Sequence, residues 1–225
     1  MKIDYLSHHE ELYQQRRGSG QYQGWEQGYA AAIAAIGRVF AHGRSPRTGR
    51  ALEIGCGAGN MTMWLATQGF ETFGIDISPT AIEWAKRNAE VAGLRCEFTN
   101  GDILDYSNYP SDAVDMVLDG NVLHCIIGDD RAKLFQNVRR VLRTGGYFLV
   151  RSVLSPVDDK LPSQYRFDPT SLLLFHEDVA YRYIPTFEML KSEVSDAGFN
   201  ILGSELAYDL AVGRGFQYGM IEAST

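Results

Sequence analysis

Between Leu52 and Asn60 the chain reads Leu52-Glu53-Ile54-Gly55-Cys56-Gly57-Ala58-Gly59-Asn60, three glycines at alternate positions between an apolar run and a helical one. Glycine admits positive φ and leaves the backbone bare, so a ligand can approach the main chain closely. A helix leaving from Asn60 adds unpaired N–H groups at the loop. Seventeen positions beyond Gly59, at the end of the next apolar run, stands Asp76. A carboxylate there can accept both hydroxyls of a ribose, as does the acid about 20 residues beyond the dinucleotide fingerprint. It can also cap the helix that Pro79 opens, although Ser78 is better placed for that. The loop departs from the G-x-G-x-x-G spacing, and Glu53 would repel a pyrophosphate but attract an amino group. A third run ends in Asn100-Gly101-Asp102-Ile103, where an acid can accept from the exocyclic amine of a purine.

Further along, His124 follows the fourth apolar run, where an open α/β sheet places its ligand crevice. Its near-neutral pKa suits a general base, and the same residue can instead cap a helix or orient a substrate. His176, in His176-Glu177-Asp178, can reach a substrate or form a polar turn. Tyr22 and Trp25 can face a cation or anchor a helix. With Tyr5, Tyr13, Tyr165, Phe167, Tyr181 and Tyr183 they make two segments aromatic. Cys56 reads as a small side chain fitting a tight turn. Arg139, Arg140 and Arg143 read as basic residues complementing the end of one helix. Neither His124-Cys125 nor the three cysteines offer metal-ligand spacing, so no metal is expected.

These residues need a scaffold, and the chain supplies an alternating one. Residues 1–21 are polar and aromatic, with a loop at Arg16–Gly20, and helical spacing runs from Gln23 to Phe40. From Arg50 the expected strands are 51–55, 72–77, 95–99, 114–119 and 147–153. Helices are expected at 60–68, at 79–92 (opened by Ser78-Pro79 and stopped by Gly93) and at 130–142 (stopped by Gly145-Gly146). A helix at 185–197 and strands at 199–206 and 207–221 close the chain. Such alternation builds a parallel sheet with helices on both faces. The stretch from 154 to 184, broken by Pro156, Pro162 and Pro169, reads as an insertion with a function.

With 225 residues, 45% of them hydrophobic and 22% charged, the chain has the composition of a folded domain. Its formal charge of −7 lacks the basic footprint of a dedicated nucleic-acid binder. No apolar run is long enough to cross a bilayer, the N-terminus is unlike a secretory leader, and the cysteines form no disulfide framework. A cytoplasmic protein is expected, with no nucleic-acid or membrane partner.

The chain resembles the class I S-adenosylmethionine-dependent methyltransferases. The resemblance rests on the E-x-G-x-G-x-G loop at Glu53–Gly59, the strand-end acid in GIDIS, the NGDIL segment and LRTGGYFLV at Leu142–Val150. It implies a Rossmann-like, doubly wound sheet of seven mostly parallel strands, preceded by a helical cap over residues 1–49. The methyltransferase domain would span 50–225, with a substrate-covering insertion at about 154–184. It further implies S-adenosyl-L-methionine as cofactor, with S-adenosyl-L-homocysteine as product. Glu53, Gly55, Cys56, Gly57 and Gly59 would lie near its methionine part and ribose, Asp76 on the ribose hydroxyls and Ile77 against the adenine. Asp102 and Ile103 would meet the adenine edge, Asp119 the methionine amino group, and Gly120 and Asn121 the loop facing the methyl. Tyr22, Trp25, His124, Tyr165 and His176 are the substrate candidates, with His124 as the catalytic one. The (D/N)PP(Y/F) run of amino-methylating nucleic-acid enzymes is absent, so a small-molecule acceptor is expected. An RNA or protein acceptor, or a nicotinamide-dependent oxidoreductase, is the alternative.

Overall fold

The computed structural model describes residues 5–18, 29–105, 109–157, 161–176, 178–206 and 217–225. Ahead of the sheet lie helices α1 (Tyr5–Gly18) and α2 (Ala30–Ala41). Then β1 (Gly49–Ile54), α3 (Asn60–Thr67), β2 (Phe70–Asp76), α4 (Pro79–Ala92), β3 (Cys96–Asn100), β4 (Val114–Asp119), α5 (Asp130–Val141) and β5 (Leu142–Leu154) follow, alternating except that β3 leads directly to β4. The insertion holds β6 (Tyr165–Asp168), β7 (Leu173–His176) and β8 (Val179–Tyr183), after which α6 (Phe187–Asp196), β9 (Asn200–Leu206) and β10 (Gln217–Ser224) complete the chain.

Seven strands form one sheet in the order β3-β2-β1-β4-β5-β10-β9, with only β10 running antiparallel to its neighbours. The order reverses between β1 and β4, whose carboxyl ends lie side by side at Ile54 and Asp119. A doubly wound sheet opens its ligand crevice at such a switch point. Alternate residues of each strand enter opposite faces. Leu52, Ile54, Phe148 and Val150 pack against Leu134, Phe135 and Val138 of α5 and Leu190 and Val194 of α6. Ala51, Met116, Leu118 and Leu149 pack against Ile36 and Val39 of α2 and Met61 and Leu65 of α3. Helix α2 therefore belongs to the layer covering the sheet.

Local chemistry fixes the element ends. The Ser78 hydroxyl accepts from Ala81 N, Pro79 fills the first helical position, and Gly93 ends α4 at φ 66°. Each is a favoured device at its place. Elsewhere the structure departs from the expected boundaries. Arg16 lies in α1 and not in a loop, and α2 begins at Ala30, with residues 23–28 outside the described set. Gly145 and Gly146 do not separate α5 from its strand: Leu142 is already extended (ψ 135°) and β5 contains both glycines. Arg143 consequently sits on β5 and pairs with Asp115 at 2.6 Å, so it does not complement a helix dipole. The insertion is a three-stranded antiparallel sheet whose short strands, among the described residues, pair only with one another. The last strand is Gln217–Ser224, and the expected 207–216 portion lies outside the described residues.

Candidate active site

The glycine loop turns sharply at the end of β1, with Gly55, Gly57 and Gly59 at φ 67°, 51° and 83°. At Gly55 a Cβ would collide with Val122, and at Gly120 it would lie 2.6 Å from the Gly55 carbonyl oxygen. The turns after β1 and β4 therefore meet backbone to backbone, which only glycine permits at both positions. Asp76 ties this loop to β2. Its Oδ2 accepts from Gly57 N at 2.8 Å and its Oδ1 from Ser78 N at 2.9 Å. Burial pushes the Asp76 carboxyl up, against the pull of these two N–H groups. The Asn100 amide donates to the carbonyls of Asp76 (3.1 Å) and Ile77 (2.9 Å), holding the third strand end against the second.

A crevice with about 480 Å³ of empty space, partly open to solvent, lies at these strand ends. Five expected residues share its wall: Gly55, Asp76, Ile77, Asp102 and Ile103. Val122, Cys125 and Ile126, on the turn after β4, also line it. Helix α1 covers it with Tyr5 and His9. Glu10 of the same helix accepts from the hydroxyls of Ser78 (2.6 Å) and Thr80 (2.5 Å) at the start of α4. Sequence reasoning named neither His9 nor Glu10. The spacing Tyr5, His9, Tyr13, four residues apart, is one face of a helix and is the signal that could have found them.

The other cofactor candidates lie around this wall. Glu53 is buried under α3, where its Oε2 accepts from Thr62 N at 2.7 Å and from the Thr62 hydroxyl at 2.5 Å. Burial raises it to about 8 despite those donors, so it is protonated at neutral pH. Cys56 turns its side chain into the apolar cluster of Met63, Ile82 and Phe98, and burial pushes its thiol well up. The Tyr13 hydroxyl sits where a Gly57 side chain would project, and Gly59 starts α3 in a left-handed conformation against Phe98. Asp119 is fully buried; Oδ1 accepts from Val122 N (2.7 Å) and Leu123 N (3.3 Å), and burial raises the carboxyl to about 7. Asn121 follows at φ 75°. Asp119 Oδ2 and Asn121 Oδ1 are buried without a partner among the described residues.

His124 lies in a single 3-10 turn, Leu123–Cys125, and is buried. Arg182 of β8 contacts its Nε2 at 3.0 Å through Nη1. A guanidinium can only donate, so Nε2 is the acceptor and the hydrogen rides on Nδ1. The lone pair that a general base requires is thereby engaged, and burial lowers the His124 pKa further. The same turn is held by a residue the sequence reading passed over. Arg131 is buried, donates to the carbonyls of Leu123 and Ile126, and pairs with Glu193 of α6. Tyr165 and His176 face each other on the insertion sheet, ring centroids 4.9 Å apart and outside the crevice wall. Tyr22 and Trp25 lie outside the described residues. Among the described residues no cluster of three or more His, Cys, Asp or Glu side chains could hold a metal, and no helix is long and apolar enough to cross a membrane.

Comparison with known proteins places this geometry. The profile of the methyltransferase-domain family matches residues 52–150. An uncharacterized methyltransferase of Schizosaccharomyces pombe is 37% identical over 101 residues, 44% of this chain and 37% of that protein. The ribosomal protein L11 methyltransferase of Dictyoglomus turgidum is 31% identical over 116 residues, 51% of this chain and 36% of the relative. The chain thus spans little more than a third of the length of these two curated relatives. Among solved structures, the 1,6-didemethyltoxoflavin-N1-methyltransferase of Burkholderia thailandensis, with bound 1,6-didemethyltoxoflavin and S-adenosylhomocysteine, superposes with a TM-score of 0.71 at 20% identity. The superposition covers 100% of this chain and 91% of that one, and shows a shared fold. Residues 52–150 thus match the methyltransferase-domain family, and the chain shares its Rossmann-like fold with a solved structure that holds S-adenosylhomocysteine.

Proposed function

We infer that this protein transfers the methyl group of S-adenosyl-L-methionine to a small-molecule acceptor. The observation that carries the reading is the convergence of Gly55, Asp76-Ile77 and Asp102-Ile103 on one crevice at the switch point of the sheet. The residues present fit the cofactor. Asp76 keeps a second lone pair on each carboxylate oxygen for a ribose hydroxyl, beyond those that hold Gly57 N and Ser78 N. Ile75, Ile77 and Ile103 give an apolar wall for a flat ring, with Asp102 at its edge. Asp119 Oδ2 and Asn121 Oδ1 are buried acceptors still in want of a donor, as the ammonium of a methionine part supplies. When bound, the cofactor supplies an electrophilic methyl carbon on a sulfonium. The chain's own part is to orient the acceptor and exclude water, which α1 and the turn after β4 do by lining the crevice. Orientation of that kind is worth an effective molarity of about 10⁵–10⁸ M without a strong base. With the His124 lone pair engaged by Arg182, His124 is read as a positioning residue.

The small-molecule acceptor is supported by the net charge of −7 and by the covering of the crevice by α1. A protein acceptor is the second reading, favoured by the name of the Dictyoglomus turgidum relative. Calorimetry with S-adenosylmethionine, followed by a metabolite panel scored for S-adenosylhomocysteine formation, separates them. Cofactor binding with turnover on the panel is expected. No cofactor binding would overturn the reading, and turnover only on ribosomal protein or RNA would replace its acceptor.

A further inference from the structure

The fold treats the three cysteines of the chain unequally. Cys56 lies in the apolar cluster of Met63, Ile82 and Phe98, Cys96 stands half-buried at the start of β3, and burial pushes both thiols up. Cys125, in contrast, lines the partly open crevice. Its thiol hydrogen-bonds to the rings of His124 and His9 and faces the Arg182 guanidinium. His9, on α1, lines the same crevice, and its Nδ1 lies 2.9 Å from the Tyr5 carbonyl oxygen. A carbonyl only accepts, so Nδ1 carries a hydrogen and Nε2 is the atom left for the thiol. A nucleophile, an imidazole within its reach and a third group orienting that imidazole make the arrangement of an activated thiol. Burial resists ionisation of Cys125, yet His124, Arg182 and the two hydrogen bonds outweigh it and hold the thiol well below its ordinary range. Burial likewise resists a charge on His9, yet the hydrogen bond to Cys125 outweighs it and raises the imidazole. Both directions move the shared proton from Sγ to Nε2. Against them stand the Asn121 carbonyl oxygen, 3.5 Å from Sγ, and the acids Asp76 and Asp119. Tyr181 of β8 also faces the thiol.

We propose that Cys125 is a modification site, at which a hydroperoxide oxidises the sulfur to a sulfenic acid with His9 as the proton donor. The sulfur attacks one peroxide oxygen, so that S–O forms as O–O breaks. The departing oxygen takes the proton from His9 Nε2 and leaves as water or an alcohol. Sulfur is oxidised, the peroxide is reduced, and His9 ends neutral. Reactive cysteines sit in such electropositive, partly accessible places, whereas structural ones are buried as Cys56 is. The chemistry does not depend on methyl transfer. Its consequence does, since an oxygen added at the crevice wall takes up space that S-adenosylmethionine occupies in that reading.

In the test, the full chain is treated with hydrogen peroxide, sulfenic acid is trapped with dimedone, and each cysteine peptide is read by mass spectrometry. Cys125 is expected to label at least about 10-fold faster than Cys56 or Cys96. Iodoacetamide, whose leaving iodide needs no proton, isolates the part of His9. Its rate at Cys125 should fall less than about 10-fold from pH ~9 to pH ~6, where an ordinary thiol loses more than about 100-fold. His9→Gln should slow the peroxide reaction about 100-fold more than the iodoacetamide reaction, the scale of general-acid help. Cys125 labelling no faster than Cys96, the pH profile of an ordinary thiol, or equal slowing of both reagents would overturn the proposal. Should His9→Gln fail to fold, the wild-type rates and pH profile still decide. Calorimetry with S-adenosylhomocysteine before and after peroxide reads the consequence: affinity should fall about 10-fold or more, the cost of overpacking, and return with dithiothreitol. Unchanged affinity after complete labelling would overturn the effect on the cofactor. If the untreated chain does not bind S-adenosylhomocysteine, the methyl-transfer reading falls, and the labelling alone judges Cys125.

Discussion

Asp76 holds the glycine loop in place in the structure, and the proposed function gives it a second duty on the cofactor ribose. Asp76→Asn and Asp76→Ala together separate the two. In the wild type one carboxylate oxygen receives Gly57 N at 2.8 Å and the other Ser78 N at 2.9 Å. Asparagine keeps one acceptor oxygen and turns an NH₂ toward the other N–H, leaving one buried donor unsatisfied, at about 1–3 kcal/mol of stability. Alanine orphans both, at about twice that cost. If the remaining lone pairs also hold ribose hydroxyls, Asp76→Asn removes at least one charge-assisted bond. S-adenosylhomocysteine affinity then falls by about 10–150-fold. Urea unfolding reads the stability effect, and calorimetry at a temperature where each variant is folded reads affinity. Both should fall in Asp76→Asn, and further in Asp76→Ala. A variant that loses stability but keeps wild-type affinity would refute the ribose role and leave Asp76 as a tie between loop and strand.

Two further outcomes follow from buried charge. Glu53 stands at about 8 in the fold against an ordinary 4.5, so the folded state holds a proton that the unfolded chain releases in between. Stability is then full below pH ~4.5, declines as pH rises to ~8 by on the order of 3–5 kcal/mol, and is flat above. Urea midpoints for Glu53→Gln should show a shallower decline across that window, and parallel curves for variant and wild type would show that Glu53 is ionised in the fold. Arg131→Met should destabilise by about 3–5 kcal/mol, because it leaves Glu193 and two buried carbonyls without their donor. An unfolding midpoint within error of wild type would mean that the turn after β4 holds itself.

Much of the scaffold is legible in the sequence. Periodicity and end signals are local, so Ser78-Pro79 and Gly93 bounded α4 correctly, and Val114–Asp119 emerged as one buried strand. The glycine spacing and Asp76 located the crevice, because a strand–loop–helix junction has to lie at the carboxyl edge of the sheet. Helix α1 was not legible past its aromatic residues, since its sequence, Tyr5–Gly18, lacks the apolar stripe that marks an amphipathic helix. Its place is set by Glu10 on Ser78 and Thr80 and by Tyr13 over Gly57 and Trp84, contacts between residues far apart in sequence. Side-chain roles within the site belonged to the tertiary structure as well. Glu53 reads the same in sequence whether it meets a ligand or lies under α3, and only packing against Thr62 decides. His124 reads in sequence either as a base or as a capping or orienting residue, and Arg182, 58 positions away, is what engages its lone pair. Protonation and hydrogen-bond partners depend on which distant groups a fold brings within a few ångströms, and no short-range pattern encodes that.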